Sequence, residues 1–396
     1  MKFTKEFKHS VTFKFKLDRE QLFCLAIVLY YFWQSMNLFI QKGVFGQKIL
    51  LIANYGVLIV ALGFIFLGYF LNRVASFVFV ELLVAVVFFI SYIYDNADNG
   101  ILIYNMVWSM GICVPLGMAF VGIDDKEKIY RWLYRISKPL IFIIVLTYIL
   151  EFKVWDVYLG EYDMVLSYTA LLPCTILCNE VLEHIRVKDM MWLIIGVGIN
   201  FLYGCRGANL CFILFFVVKV LLDVKPDKKK YGFILCGIVV GIVGICALII
   251  IINSGLNTSR VARFRVIEKL LSGEFFKSQG RTDLYDYYFE IFKLRPYLGW
   301  GVCGKWLDGG NYPHNFFIEV IISFGSIVGL CIIAILIIGI IIMLKECEKT
   351  ERMLMCIYLS NAASLLLSGT FLQNTAFYIT VALVVGKDRK STRLNS

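Results

Sequence analysis

The chain has 396 residues, is 60% hydrophobic and only 17% charged, and has a mean hydropathy of +0.77 and a net charge of +10. Soluble domains are about 45–50% apolar and about 25% charged, so a soluble globular class is excluded. The apolar runs are continuous and do not alternate, which argues against a lipid-facing barrel and for an all-α polytopic transmembrane bundle.

The first 21 residues, "MKFTKEFKHSVTFKFKLDREQ", are basic and polar. No small-residue cleavage site follows the first apolar run, so that run reads as a true span and not as a signal peptide. Apolar runs then predict about twelve spans, near residues 22–40, 49–71, 76–94, 101–121, 138–152, 164–180, 190–204, 207–222, 232–252, 314–343, 353–369 and 372–386. The fifth, seventh and twelfth are short and are the candidates for re-entrant or differently divided segments. With the N-terminus in the cytoplasm, the inner breaks hold 26 of the 39 Lys and Arg residues and the short outer breaks hold four. That asymmetry follows the positive-inside rule and puts both termini inside. The organisation expected is an N-terminal bundle over 1–252, one large extracytoplasmic loop over 253–313 between spans 9 and 10, spans over 314–386, and a cytoplasmic tail over 387–396. The final "STRLNS" carries no structural signal and could be non-native.

The long loop is patterned. "TSRVARFRVIEKLLSG" reads as a short amphipathic helix opened by Thr258 and Ser259 and closed by Gly273. "RTDLYDYYFEIFKLRP" reads as a second, with Leu284, Tyr288, Ile291 and Phe292 on one face and Pro296 as its stop; it would lie on the membrane surface or cap a cavity. In "PYLGWGVCG", Gly299 and Gly301 stand where the backbone must turn tightly or approach a ligand closely. The loop holds nine Lys/Arg against six Asp/Glu, including Arg260, Arg263, Arg265 and Arg281. An outward basic cavity suits an anionic headgroup, and a lipid pyrophosphate fits best because guanidinium forks match phosphate oxygens.

Two further residues stand out. His314, in "PHN", lies where the loop re-enters the bilayer; it reads either as a half-solvated interfacial histidine or as a group that exchanges a proton with a sugar hydroxyl. Arg206, in "YGCRGANL", falls between two apolar runs with small neighbours Gly204, Gly207 and Ala208. It either snorkels from a helix end or marks a functional cavity, since arginine at membrane depth is costly unless paired or hydrated. The twelve cysteines lie mostly inside apolar runs and act as small hydrophobes; a Cys205–Cys303 bridge is the one pairing open to the loop, and it is not expected. No cysteine–histidine metal spacing is present, and neither a metal nor a cofactor is expected. The cytoplasmic basic clusters suit anionic membrane lipids, and no nucleic-acid signature is visible.

These residues together resemble the O-antigen ligase/polymerase superfamily of bacterial envelope glycosyltransferases. The resemblance rests on an ordered set: Cys205-Arg206-Gly207 between two central spans, Gly280-Arg281 before an aromatic-rich helix, Pro296 with Gly299-Trp300-Gly301, His314-Asn315, and Gly325 and Gly329 inside the next span. Cys205 stands where the family more often has serine, and the glycines after Gly325 are loosely spaced. The resemblance implies a metal-independent, inverting transfer. Its donor is a glycan on polyprenyl pyrophosphate, at the outer face of the bacterial cytoplasmic (inner) membrane. Arg206 and Arg281 would neutralise the pyrophosphate, and His314 would orient or deprotonate the acceptor hydroxyl. Asn315 would fix the local geometry, and Gly280, Gly299 and Gly301 would shape the loop. Arg260, Arg263 and Arg265 would contact headgroup or glycan. Tyr285, Tyr287, Tyr288, Trp300, Trp306 and Tyr312 would stack on sugars or anchor the interface.

Within the family the first expectation is a polymerase, whose acceptor is another lipid-linked repeat unit and whose partners include a chain-length regulator and a flippase of the same pathway. A ligase using a different acceptor is the second. A polysaccharide or lipid transporter is the alternative from another class, but transporters usually show internal repeats, and none stands out here. A purely structural membrane protein would leave Arg206, Arg281 and His314 without a role.

Overall fold

The computed structural model of the protein describes residues 18–41, 47–70, 74–94, 99–154, 164–202, 205–223, 281–306 and 311–394. These fold into helices α1 (Arg19–Gln41), α2 (Gln47–Phe70), α3 (Val74–Tyr94), α4 (Asn99–Val121) and α5 (Lys126–Val154). There follow α6 (Met164–His184), α7 (Val187–Leu202), α8 (Arg206–Asp223) and α9 (Arg281–Leu294). The last are α10 (Phe316–Glu346), α11 (Lys349–Ala362) and α12 (Thr375–Leu394). Among the described residues, seven helices are long and apolar enough to cross a membrane: α1 to α6 and α10. The protein is a multi-pass helical membrane protein. The expected span at 232–252 and the expected amphipathic helix at 258–273 lie outside the described residues.

Three elements differ from the sequence expectation. Helix α5 begins at Lys126, well before the expected short span at 138–152. Its first turns look like a polar loop, yet Ile129 and Leu133 stand one turn apart and are fully buried, enough to seat a charged helix by one stripe. Near the C-terminus, the expected span at 353–369 ends as helix at Ala362. Residues 363–374 instead run through 3-10 turns at Ala363–Leu366 and Phe371–Gln373 before α12. This stretch is rich in side chains that bond locally instead of propagating a helix: Asn374 Nδ2 donates to Ser364 Oγ at 3.1 Å, and Thr370 Oγ1 accepts from Leu372 N–H at 3.2 Å. The third difference is a break in α10 at Gly325, whose φ of 73° and ψ of 173° are non-helical.

Contacts divide the chain into two compact units, one of Met1–Gln34, Lys48–Leu133 and Asp283–Ser396, the other of Ser35–Gln47 and Tyr134–Thr282. In the first, α4 and α12 approach closely at Gly117, where a Cβ would stand 3.1 Å from the Tyr378 carbonyl oxygen. Phe23, fully buried, fills a notch that exists only because Gly68 and Gly122 lack side chains. The start of α1 is fixed by charge: Arg19 Nη2 donates to the Gly122 carbonyl at 3.3 Å, Glu20 Oε1 accepts the Asp124 N–H at 2.9 Å, and Lys128 Nζ stands 3.3 Å from Asp18. A single π-helical turn at Ser109–Cys113 interrupts α4, and Ser109 Oγ donates to the Leu372 carbonyl at 2.6 Å. In the second unit α6 is buried along nearly its whole length between α7 and α8. Two buried charges there are paired: Asp189 accepts from Lys138 Nζ at 2.6 Å and from Tyr134 at 2.9 Å, and Lys219 lies 3.1 Å from Glu183.

The break in α10 should be the most glycine-dependent point of the fold. Gly325→Ala would force a side chain into positive φ and onto the Tyr297 carbonyl. It is expected to cost about 1–3 kcal/mol or more, read as a fall in the melting temperature of the purified protein. Gly63→Ala, a helical position with open space around it, should be neutral or stabilising by up to about 1 kcal/mol.

Candidate functional site

The break divides α10 into a half-helix at 316–324 and a longer apolar half at 326–346. Each new helix end leaves backbone groups without partners, and the loop after α9 supplies them. Trp300 N–H donates to the Ile322 carbonyl at 2.8 Å and Gly301 N–H to the Ser323 carbonyl at 2.9 Å. On the other side Ser326 N–H donates to the Pro296 carbonyl at 2.8 Å. Gly299 (φ 69°) and Gly301 (φ 83°) permit this fit, since a Cβ on Gly299 would strike the backbone of residues 322–325. Ser91 Oγ on α3 accepts the Val302 N–H at 2.9 Å and fixes the loop from its other side.

Helix α9 carries the face expected from its spacing. Leu284, Tyr288, Ile291 and Phe292 pack with Trp300, Ile318 and Ile322. Trp300 is therefore an anchor and is not open to a sugar: its Nε1–H donates to the Ile291 carbonyl at 3.0 Å, and Arg295 and Lys305 lie 4.1 and 4.9 Å from its ring. Tyr287 and Tyr288 donate to the carbonyls of Lys305 and Asn311, at 3.3 and 2.7 Å.

At the head of the half-helix, Asn315 is the N-cap, its Oδ1 accepting the N–H groups of Phe317 at 3.0 Å and Ile318 at 3.3 Å. The preceding His314 is half-buried and held at φ 53°. For a non-glycine residue that is a sparsely populated conformation, maintained only where the surroundings over-determine it. Its imidazole centroid lies 4.1 Å from that of Tyr312, whose phenol oxygen is hydrogen-bonded to the Gly369 backbone. Burial pushes the Tyr312 phenol above its ordinary pKa; the Gly369 bond opposes that shift and the Glu319 charge reinforces it. Cys303 and Cys205 are both free, buried thiols. Burial, with Glu319 adding to it, raises the Cys303 pKa and makes it a poor nucleophile.

Sequence reasoning missed Glu319, which is 1% exposed inside the half-helix. Thr370 Oγ1 donates to its Oε1 and the Phe371 N–H to its Oε2 at 3.4 Å. Its signal was there to read: a lone carboxylate five residues past His314 in an apolar run, in a setting where an ionisable group is a functional candidate by default.

Arg206 and Arg281 each open a helix, α8 and α9, and each is half-buried. Arg206 follows buried Cys205 and precedes Gly207 and fully buried Ala208. A cation at a helix N-terminus opposes the macrodipole, a mismatch that a bound anion would offset. Both arginines fall in the second unit; His314, Asn315, Gly299 and Gly301 fall in the first, where the α9 loop and α10 bring them together. Gly280, Arg260, Arg263 and Arg265 lie outside the described residues. Among the described residues no cluster of His, Cys, Asp and Glu could hold a metal ion.

A multi-pass helical bundle with a glycine-broken helix, headed by a capped His-Asn pair, thus frames the site. Residues 191–333 match the family model described as O-antigen ligase. The match supports a likeness of this segment to the O-antigen ligase/polymerase superfamily, and the segment contains Arg206, Arg281, Gly299, Gly301, His314, Asn315 and Glu319. Comparison with curated proteins finds no match.

If Asn315 acts through its cap, Asn315→Asp should melt like the parent, because a carboxylate oxygen accepts the same two N–H groups. Asn315→Ala should lose about 1 kcal/mol. Melting curves of the two purified variants compare them directly.

Proposed function

We propose that the protein polymerises polyprenyl-pyrophosphate-linked oligosaccharide repeat units into a surface polysaccharide of O-antigen or capsular type. The reaction proceeds at the outer face of the bacterial cytoplasmic membrane. In this reading the chain has about twelve spans with both termini inside. Residues 1–252 form the N-terminal bundle, 253–313 the outer loop between spans 9 and 10, 314–386 the last spans, and 387–396 the tail. The observation that carries the proposal is His314 fixed in a left-handed conformation at the mouth of a broken, capped half-helix, inside a segment that matches the O-antigen ligase family.

The acceptor hydroxyl attacks the anomeric carbon of the donor glycan, a new glycosidic bond forms with inversion, and the bond from that carbon to the pyrophosphate oxygen breaks. His314 accepts the hydroxyl proton. The lipid pyrophosphate departs with the electron pair, its charge met by Arg206 and Arg281 at their helix starts, with Arg260, Arg263 and Arg265 as further contacts. Pyrophosphate is a good leaving group, so placement and charge stabilisation are sufficient and no metal is invoked. A chain-length regulator and a flippase would act beside this step.

One observation favours a second reading. The matched family is described as O-antigen ligase, and a ligase would run the same donor chemistry toward a different acceptor, such as a lipid core or a protein. An assay with a defined polyprenyl-pyrophosphate glycan, scored for chain growth against transfer to an added acceptor, separates the two.

His314→Ala and Arg281→Ala are each expected to abolish product while the protein remains inserted and abundant; normal polymer length and yield in both variants would refute the assigned site. Added EDTA should leave the purified reaction unchanged.

A further inference from the structure

Glu319 has no part in the scheme above, yet it is the carboxylate nearest in sequence to His314 and is buried almost completely. A carboxylate in that setting is costly unless its oxygens are engaged. They are, and by one short stretch of chain: the Thr370 hydroxyl on Oε1 and the Phe371 N–H on Oε2 at 3.4 Å. The residue next to Thr370 is Gly369, turned at φ 86°, whose backbone is hydrogen-bonded to the Tyr312 phenol oxygen. Tyr312 in turn packs against the His314 imidazole, with ring centroids 4.1 Å apart and the ring planes tilted by 54°. The path therefore runs from Glu319 through residues 369–371 and Tyr312 to His314. Every residue on it belongs to the same compact unit.

We propose that Glu319 is a positioning residue for His314: its carboxylate clamps residues 369–371 against the half-helix, and the clamped strap sets, through Tyr312, where the imidazole lies. The inference rests on the reading of His314 as the proton acceptor. It explains why the connection between α11 and α12 is an irregular strap instead of a continuous helix. The strap delivers one hydroxyl and two backbone groups to fixed points, which a helix with its N–H groups engaged internally could not do. It also explains how a strained His314 backbone is kept in place, since the ring is held from the strap while Asn315 holds the turn from the helix side.

The chain has three histidines, so the full-length protein, labelled with ¹³C at histidine Cε1 and placed in lipid nanodiscs, gives a spectrum in which the signal lost in His314→Ala identifies His314. Glu319→Ala and Thr370→Val should move that signal. Glu319→Gln should leave it close to the parent, because its amide oxygen can accept the Phe371 N–H while its Nε2–H donates to the Thr370 hydroxyl, which accepts as well as donates. With a polyprenyl-pyrophosphate glycan as donor, Glu319→Ala and Thr370→Val should lower kcat by about 10²-fold, the scale expected of a misplaced catalytic group. Donor KM should stay within about twofold, and Glu319→Gln should recover most of the rate. If Glu319→Ala does not fold, Thr370→Val and Glu319→Gln carry the comparison. A lowered melting temperature with an unmoved His314 signal would make Glu319 a structural pin only and overturn the inference, leaving the functional reading intact. Full activity in His314→Ala would instead refute that reading and the positioning role with it.

Discussion

A helix broken inside a hydrocarbon layer exposes carbonyl and N–H groups that no water reaches, and each one left unpaired costs several kcal/mol, on the order of a buried polar group without a partner. The break at Gly325 is viable because the 296–301 loop brings two donors and one acceptor to the severed ends. Everything near His314 follows from that fit. The loop can lie against the break only with glycine at 299 and 325, while Gly301, at positive φ, fits the loop closely against Ser91 of α3. Once it does, Trp300 is drawn under α9, and α9 ties the chain at Lys305 and Asn311 on either side of residues 307–310. The half-helix left above the break is short, so its cap, its buried carboxylate and its preceding histidine are close together by construction.

Much of this could be read from the sequence, and the reason lies in which interactions are local. The face of α9 was legible because 3.6-residue periodicity places Leu284, Tyr288, Ile291 and Phe292 together whatever they pack on. Gly299, Gly301 and Pro296 were legible as a turn, and seven of the apolar runs as helices long and apolar enough to span, because composition carries both signals. The partners of these elements were not legible. Nothing local says that the Gly299–Gly301 turn closes a break twenty-odd residues further on. Glu319 and residues 369–371 meet across some fifty positions, and the serines and asparagines of 360–374 looked like tolerable polar residues in a span. The charged start of α5 failed for the opposite reason: its one buried stripe, Ile129 and Leu133, was outvoted by the charges around it.

The two units treat buried charge differently. In the second unit Asp189 and Lys219 are paired with opposite charges at 2.6 and 3.1 Å, an arrangement that offsets desolvation within the pair and fixes the ends of the helices that carry them. Glu319 in the first unit is met by a hydroxyl and a backbone N–H, with the strap as its partner. A salt bridge would tie one side chain to another. Neutral donors from a backbone turn instead tie the carboxylate to a piece of main chain, and main chain is what must be placed if Tyr312 is to hold a ring.

The electrostatics of the arginines point the same way. Each guanidinium opens a helix, where the free N–H groups already present partial positive charge. For stability alone these positions favour Asp or Glu, so Arg206 and Arg281 stand against local preference by a few tenths of a kcal/mol up to about 1 kcal/mol each. A sequence departs from local preference most often where function requires it. The ligand that turns such a departure into a gain is one carrying several negative charges at once, able to accept from a guanidinium and a helix terminus together. A diphosphate meets that description. A neutral sugar would gain little from either, so in the proposed reading the cationic helix starts would meet the lipid-linked end of the donor and not its glycan.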